Sequence, residues 1–423
     1  MKVAVIGGGS TYTPELVSGF IANAEALSLD ELWLMDIDPQ RLQVVGGFAQ
    51  RMVAAAGSPF RLQLTTDRSQ ALDGASFVET QIRVGGMAAR HQDELLGRRW
   101  GLVGQETTGV GGFAKALRTI PVLLSVAQDM LRLCPQAWLV NFANPSGLVT
   151  EALQRYAPAV HSVGLCNSPI GHKIAIAREL DVDPTDVSLD YLGLNHLAWL
   201  RGASVKGTDV WPRVFQAYLD HLKQEEDPVW PAYLAELTKM IPSGYLRYYY
   251  RTKSVLDHQA VSPTRAEDVM KVEADLLREY SDPNLTVLPD KLMLRGGAHY
   301  STAACQLILS LHRNDGAIHV VNTRHSGAVP GWPEDWVAEL PCVVTAGGPQ
   351  PIPTKPLPVL LEGLVRAVKS YELLAAEAAA HGDRGAALQA LVAHPLGPGA
   401  DRAPAFFEDL LRVNAAHLPQ FGG

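Results

Sequence analysis

Short apolar runs alternate with amphipathic stretches along the first half of the chain. Val3–Ile6 is a fully apolar run of strand length. Pro14–Asn23 carries helical periodicity, with Thr13 as its expected N-cap and Pro14 at its first position. Glu31–Met35 reads as a second strand, closed by Asp36-Ile37-Asp38-Pro39, and a helix over Gln40–Ala56 is stopped by Gly57-Ser58-Pro59. Further strands are expected at Arg61–Thr65, Phe77–Arg83, Trp138–Asn141 and His161–Leu165, with helices at Val122–Leu133 and Ser146–Tyr156 between them. Strands separated by helices require crossover connections, so this half is expected to be an α/β, Rossmann-like, doubly wound parallel sheet.

Near residue 195 the pattern changes. Val187–Leu192 and Leu197–Val205 look like strands around Gly193-Leu194-Asn195-His196. Helical periodicity then dominates, at Val214–Leu222, Ala266–Tyr280, Ala303–Leu311 and Pro358–Ala380. The proline-rich stretches Pro341–Pro358 and Pro395–Pro404 read as loops. A length of 423 residues exceeds what one compact domain usually holds. Two domains are therefore expected: 1–194 binding a dinucleotide, and a mixed, largely helical 195–423 carrying substrate and catalytic groups.

Composition narrows the function classes. An apolar fraction of 47% against 19% charged residues supports a large core and excludes global disorder. A net charge of -8 argues against nucleic acid or a membrane surface as partner, while leaving room for a small anion held by local arginines. Cys134, Cys166, Cys305 and Cys342 form no CxxC pair, which fits a reducing compartment. The N-terminus enters a strand at once rather than a signal peptide, and no apolar run is expected to span a membrane, so a cytoplasmic location is expected.

Five segments carry candidate chemistry. Gly7-Gly8-Gly9-Ser10-Thr11 follows the first strand, where glycines let the backbone approach a pyrophosphate and the next helix offers free N–H groups. Tyr12 stands where GxGxxG has its third glycine, and Asp36 ends the second strand, where a carboxylate commonly holds the adenosine ribose. Gly104-Gln105-Glu106-Thr107-Thr108-Gly109-Val110-Gly111-Gly112-Phe113 is a glycine-rich stretch with one carboxylate, read as a loop on the ligand side of the sheet. Asn144 stands in Asn144-Pro145-Ser146-Gly147, between a strand and a helix, either as a ligand-facing amide or as a turn residue.

Cys166, in Cys166-Asn167, and His196 are both metal-ligand types, although a buried thiol and a satisfied core imidazole are the commoner reading of two such residues. In Gly244-Tyr245-Leu246-Arg247-Tyr248-Tyr249-Tyr250, a helix would bring Tyr245, Tyr248 and Tyr249 to one face. Arg90, Arg265 and Arg295 are scattered, and such arginines are usually solvated or paired.

Taken in order, these segments resemble glycoside hydrolase family 4 from Lys2 to about Leu396. The most specific pieces are Gly7–Thr11, Arg83–Arg90, Gly104–Thr107, Asn144–Gly147, Cys166-Asn167, Gly193–His196 and Arg295-Gly296-Gly297-Ala298-His299-Tyr300. The resemblance implies a redox-assisted elimination with NAD and a divalent metal, typically manganese: hydride removal from C3, proton removal from C2 by a tyrosine, departure of the aglycone, water addition and return of the hydride. It implies Cys166 and His196 as metal ligands and Tyr245 as the base, with Glu106 raising the basicity of that tyrosine. Gly7, Gly9, Ser10, Thr11 and Asp36 are the implied cofactor contacts, and Arg90, Asn144, Arg265 and Arg295 the implied substrate contacts.

Members acting on α-linked 6-phosphosugars tend to carry Asp after the metal cysteine. This chain has Asn167, as β-glucoside members do, so the expected partner is a 6-phosphorylated β-glycoside, with a homodimer or homotetramer expected at the level of the family. Two alternatives stay open from sequence. One is an NAD-dependent dehydrogenase of a small hydroxy acid; the other is a sensor that binds nucleotide and sugar phosphate without turnover.

Overall fold

The computed structural model describes residues 1–296 and 299–422. Among these residues the strands are β1 (Lys2–Ile6), β2 (Glu31–Met35), β3 (Arg61–Thr65), β4 (Phe77–Thr80), β5 (Trp138–Asn141), β6 (His161–Gly164), β7 (Val187–Leu194), β8 (Leu197–Val205), β9 (Thr208–Asp209), β10 (Ile241–Pro242), β11 (Ile318–Arg324), β12 (Val337–Thr345) and β13 (Gly348–Pro351). They form one sheet in the order β3-β2-β1-β4-β5-β6-β11-β12-β7-β8-β10, with β13 on β12 and β9 on β8. The first six strands are parallel, as the alternation of strands and helices requires. The remaining pairings are antiparallel.

The second half of the chain therefore extends the sheet of the first half. Two narrow junctions join them. Asn322 on β11 pairs with Gly164 on β6, and Glu339 on β12 pairs with Gly193 on β7. Glycine is required at both points. A Cβ at Gly164 would lie 2.1 Å from the Thr150 hydroxyl, and one at Gly193 would lie 2.2 Å from the Leu197 carbonyl.

Helices pack on this sheet in two groups. Thr13–Asn23 lies against Pro39–Ala55 and Tyr300–Arg313, while Gly109–Leu133 lies against Ser146–Tyr156 and Val359–His381. The C-terminal helix Ala403–Asn414 is tied in by Arg118, which forms a two-pronged pair with Asp93 at 2.6 and 2.9 Å and also meets Asn414.

Several local expectations are corrected. The glycine-rich stretch after Gly104 is not a loop throughout, because a 25-residue helix begins at Gly109. Its glycines serve close packing: a Cβ at Gly111 would stand 2.1 Å from the Gln105 carbonyl, and one at Gly112 2.5 Å from Thr107. This helix is also long and apolar enough to cross a membrane, contrary to the sequence expectation, yet 78% of its most apolar window is buried within the protein. Pro341–Pro358 is not simply a loop, since it holds the end of β12 and all of β13. Pro341 lacks an N–H but still accepts from Ile352 N at 3.0 Å. The strand β11 had no sequence counterpart. Thr13 is the first helical residue rather than the cap, and its hydroxyl accepts from Gln81 Nε2 at 2.7 Å.

Candidate active site

β1 delivers the chain into a turn whose glycines are dictated by crowding. Gly7 takes a left-handed φ of 101°. Gly7 N and Gly8 N both donate to Met35 O, at 2.9 and 2.8 Å. A Cβ at Gly8 would meet Leu34 at 2.7 Å, and one at Gly9 would meet the Asp36 carboxylate at 2.9 Å. Asp36 accepts from Gly9 N at 2.8 Å, so the end of β2 is fastened to the turn.

The turn is also reached from the second half of the chain. The carboxylate of Glu273, on the helix Arg265–Tyr280, accepts from Thr11 Oγ1 at 3.0 Å, Arg41 Nη2 at 3.1 Å and Arg295 Nε at 3.0 Å. Burial alone would raise its pKa, but Arg295 and Arg41 hold it below the usual carboxylate range. Arg41 Nε donates to Gly9 O at 2.7 Å. The sequence gives no local sign of Glu273 or Arg41.

A cleft of about 1680 Å³ runs from this turn across the C-terminal ends of the parallel strands. Its walls include Gly7, Gly9, Ser10 and Asp36 at one end, and Arg83, Arg90, Glu106, Asn144, Asn167, Tyr245, Arg265, Arg295 and Tyr300 beyond. Three expected site residues, Thr11, Cys166 and His196, are buried and lie behind these walls.

Cys166 follows β6 as the N-cap of the helix Asn167–Leu180, where its sulfur accepts from Ser168 N at 3.5 Å. His196 sits in the two-residue connection between β7 and β8, in a left-handed conformation with φ 65°. The ring of Tyr245 stacks on the His196 imidazole, with centroids 3.7 Å apart and planes 6° from parallel. Burial, with Glu339 nearby, pushes the Cys166 thiol up to about 12, and burial pushes His196 down to about 3. Burial also raises Tyr245 well above its ordinary value, with Cys166, Tyr300 and Glu106 adding to the effect.

These residues fit a divalent cation. Among the described residues the buried Nδ1 of His196 has no hydrogen-bond partner, and burial favours the neutral imidazole that a ligand must be. A cation beside Cys166 would restore the thiolate that burial disfavours. Among the described residues no cluster of three or more His, Cys, Asp or Glu side chains is arranged to hold a metal. A thiolate and an imidazole alone leave coordination positions for substrate oxygens. The glycine turn, with its open walls and the Asp36 carboxylate, likewise fits a dinucleotide.

Glu106 is held by three cations. Arg83 contacts it closely, Lys115 Nζ lies at 2.8 Å and Arg90 Nη1 at 3.0 Å. Burial would raise its pKa, yet Arg83, Lys115 and Arg90 keep it well below the usual range. Lys115 in turn is lowered to about 7, mainly by burial and by Arg83. Lys115, with Arg118, is a cation inside a long, mostly apolar stretch, a signal the sequence carries; Arg83 lies inside a motif already noted.

The expected substrate arginines have diverse surroundings. Arg90 is occupied by Glu94 at 2.7 Å as well as Glu106. Arg265 opens its helix and donates to Leu294 O at 3.0 Å. Arg295 pairs with Glu273 and lies 5.6 Å over the Tyr12 ring. Gly297 and Ala298 of the Arg295–Tyr300 motif lie outside the described residues. Asn144 hydrogen-bonds Tyr300, whose ring packs edge-on against Phe142.

The tyrosine cluster does not share one face. Tyr245 lies in the short 3-10 turn Gly244–Leu246, Tyr248 follows it at 6.2 Å, and Tyr249 turns away to stack on His394. The change from a 3-10 turn to the single helical turn Arg247–Tyr250 breaks the expected periodicity.

Comparison with known proteins agrees with this layout. Residues 2–182 match the model of the family described as family 4 glycosyl hydrolase, and residues 191–397 match its C-terminal domain. The chain is 46% identical to a probable 6-phospho-beta-glucosidase of Bacillus subtilis, over all of this chain and 98% of that protein. It is 38% identical to the 6-phospho-beta-glucosidase BglT of Thermotoga maritima, over 99% of each. A structure of the Thermotoga maritima 6-phospho-beta glucosidase with manganese, NAD+ and glucose-6-phosphate superposes with a TM-score of 0.94, at 37% identity and 99% coverage of both chains. Malate dehydrogenase of Plasmodium falciparum, at 14% identity and a TM-score of 0.54, shares the fold alone. The chain belongs to family 4 of the glycosyl hydrolases.

Proposed function

We propose that the chain hydrolyses 6-phospho-β-glucosides, with NAD and a divalent cation, manganese foremost, as its cofactors. The observation that carries this reading is the flat stack of Tyr245, which lines the same cleft as the glycine turn, on the buried His196, with the buried Cys166 close to Tyr245. When bound, NAD accepts and returns the C3 hydride while the cation stabilises negative charge on the C2 and C3 oxygens of the sugar.

The remaining roles fall to the chain. Cys166 and His196 hold the cation. Tyr245 Oη takes the proton from C2; its pKa, raised by burial, makes the phenolate a strong base once a cation offsets that cost. Glu106, kept ionised by Arg83, Lys115 and Arg90, adds negative charge near Tyr245 and so favours proton uptake there. Asn167 lines the cleft and, being an amide, is too weak an acid to protonate the departing oxygen, so water or the aglycone's own acidity covers that step. Arg265, with N–H groups beyond the one spent on Leu294, supports the 6-phosphate; Arg90 and Asn144 face the sugar; Arg295 closes the cofactor end through Glu273.

A dehydrogenase of a hydroxy acid would pair its histidine with a carboxylate. His196 has a tyrosine ring on its face and, among the described residues, no partner at Nδ1, which disfavours that reading. The proposal extends to a cytoplasmic homodimer or homotetramer, with all four cysteines reduced and buried as they are here. The test is hydrolysis of a chromogenic 6-phospho-β-glucoside in deuterated water with NAD+, Mn2+ and a reductant. Deuterium is expected at C2 of the released sugar, and cleavage without exchange at C2 rules out the elimination.

A further inference from the structure

His196 holds a left-handed backbone, φ 65°, in the tight two-residue connection between β7 and β8, a conformation uncommon for a residue with a side chain. The connection is anchored through the residue before it. Asn195 Nδ2 donates to Glu339 Oε1 at 3.1 Å, and Asn195 Oδ1 accepts from Gly147 N at 3.3 Å. With its donor and acceptor ends engaged on opposite partners, the amide has one orientation. In that orientation Asn195 also hydrogen-bonds the side chain of Cys166. One amide thus touches the cysteine and anchors the turn carrying the histidine.

Glu339 is the fixed end of this arrangement. It stands on β12 as the register partner of Gly193, three residues before His196, and of Asn322 on β11. It is 1% exposed. The same Oε1 that receives Asn195 also receives Asn322 Nδ2 at 3.2 Å, whereas Oε2 is buried with no hydrogen-bond partner among the described residues. A buried carboxyl using one oxygen for two amides is costly as packing alone, since apolar residues would fill the same volume with no polar atom left over. Its service is to orient those amides.

We infer that Glu339 is a positioning residue for the metal site: by accepting from Asn195 and Asn322 it fixes the Asn195–His196 turn and the Cys166 sulfur in the arrangement that receives a divalent cation. This rests on the reading of Cys166 and His196 as metal ligands. Glu339 itself does not touch the cation. Outer partners of this kind typically change metal affinity by about 10- to 100-fold when removed.

The test uses full-length, metal-free protein and Mn2+ alone, with binding followed by the electron paramagnetic resonance of free Mn2+. Glu339→Leu keeps the volume and removes both acceptor sites; Mn2+ affinity is expected to fall about 10- to 100-fold. Glu339→Gln keeps a carbonyl for the two amides and is expected to stay within about threefold of wild type. NAD affinity, measured in parallel, stays unchanged in both, because the glycine turn makes no contact with Glu339. Should Glu339→Leu fail to fold, Glu339→Asp withdraws the acceptor by one methylene and is expected to weaken Mn2+ in the same direction. Unchanged Mn2+ affinity in the folded Leu or Asp variant overturns the inference, as does a Gln variant as weak as Leu. Cys166→Ser serves as the control. A wild-type chain that takes up no Mn2+, or whose uptake ignores Cys166→Ser, removes the metal reading itself.

Discussion

Tyr245 lies flat on His196, with ring centroids 3.7 Å apart and planes within 6° of parallel. The stack fixes where the phenol oxygen points, and it does not depend on that oxygen. Tyr245→Phe therefore keeps the ring in place and removes only the proton acceptor. Turnover is expected to fall about 10²- to 10⁴-fold, the usual worth of a general base, with Mn2+ and NAD affinities retained. Steady-state rates beside equilibrium titrations check this; a variant with near-wild-type turnover would transfer the role of base to another group.

Glu106 is expected to matter for stability as well as rate. Glu106→Gln leaves Arg83, Arg90 and Lys115 crowded without their common counter-charge. Breaking a largely buried ion cluster on one side typically costs about 3 kcal/mol, so the urea midpoint of the cofactor-free protein should drop clearly. Lys115→Met, which removes one of the three cations and leaves Arg83 and Arg90 on Glu106, should cost less.

Gly9→Ala tests the cofactor end. The added methyl would stand 2.9 Å from the Asp36 carboxylate and force it away from Gly9 N. NAD affinity is expected to fall by at least about tenfold, or about 1.4 kcal/mol. Mn2+ affinity should be unaffected. Isothermal titration with each ligand separates the two, and equal losses in both would mean general damage.

Acid should destabilise the protein through its buried histidines. Burial lowers His394 from 6.5 to about 3, and His172 and His319 to about 4. For each, the unfolded chain takes up its proton first. Stability is therefore complete above pH 6.5 and declines as the pH falls toward 4, at about 1.4 kcal/mol per pH unit per group. His394→Phe removes one of these protons, so its stability–pH curve between 6.5 and 4 should be shallower. The variant should also be less stable at neutral pH, because Leu396 N loses its acceptor at 2.9 Å. Parallel curves for variant and wild type would contradict this assignment.

The parallel half of the fold was legible because its strands are short, either apolar or strictly alternating, and set off by turn residues and helices: β2, β3 and β5 have the bounds that the pattern marks out. β11 was hidden because Ile318–Arg324 mixes polar and apolar residues and its partners lie in other parts of the chain. Glycine misled at Gly111 and Gly112, where it signals a neighbour within 2.1–2.5 Å rather than flexibility. In the site, Asp36 and Glu106 could be picked out from motif position. What each does there could not, since the partners Gly9, Arg83 and Lys115 are defined only by the folded chain. Glu273 and Glu339 gave no local signal at all, because the site residues they hold, Thr11 and Asn195, lie more than 140 positions away.

The order of strands has a consequence for how the protein is made. β6 ends at Gly164 and β7 at Leu194, but the pair that lies between them, β11 and β12, spans Ile318 to Thr345. As the chain emerges from N- to C-terminus, both facing edges stay without their native neighbours while more than a hundred further residues are added. Exposed strand edges of this kind are open to pairing with other chains. The nascent protein is thus most vulnerable to aggregation just before its sheet closes, and truncation anywhere short of residue 345 would leave that vulnerability permanent.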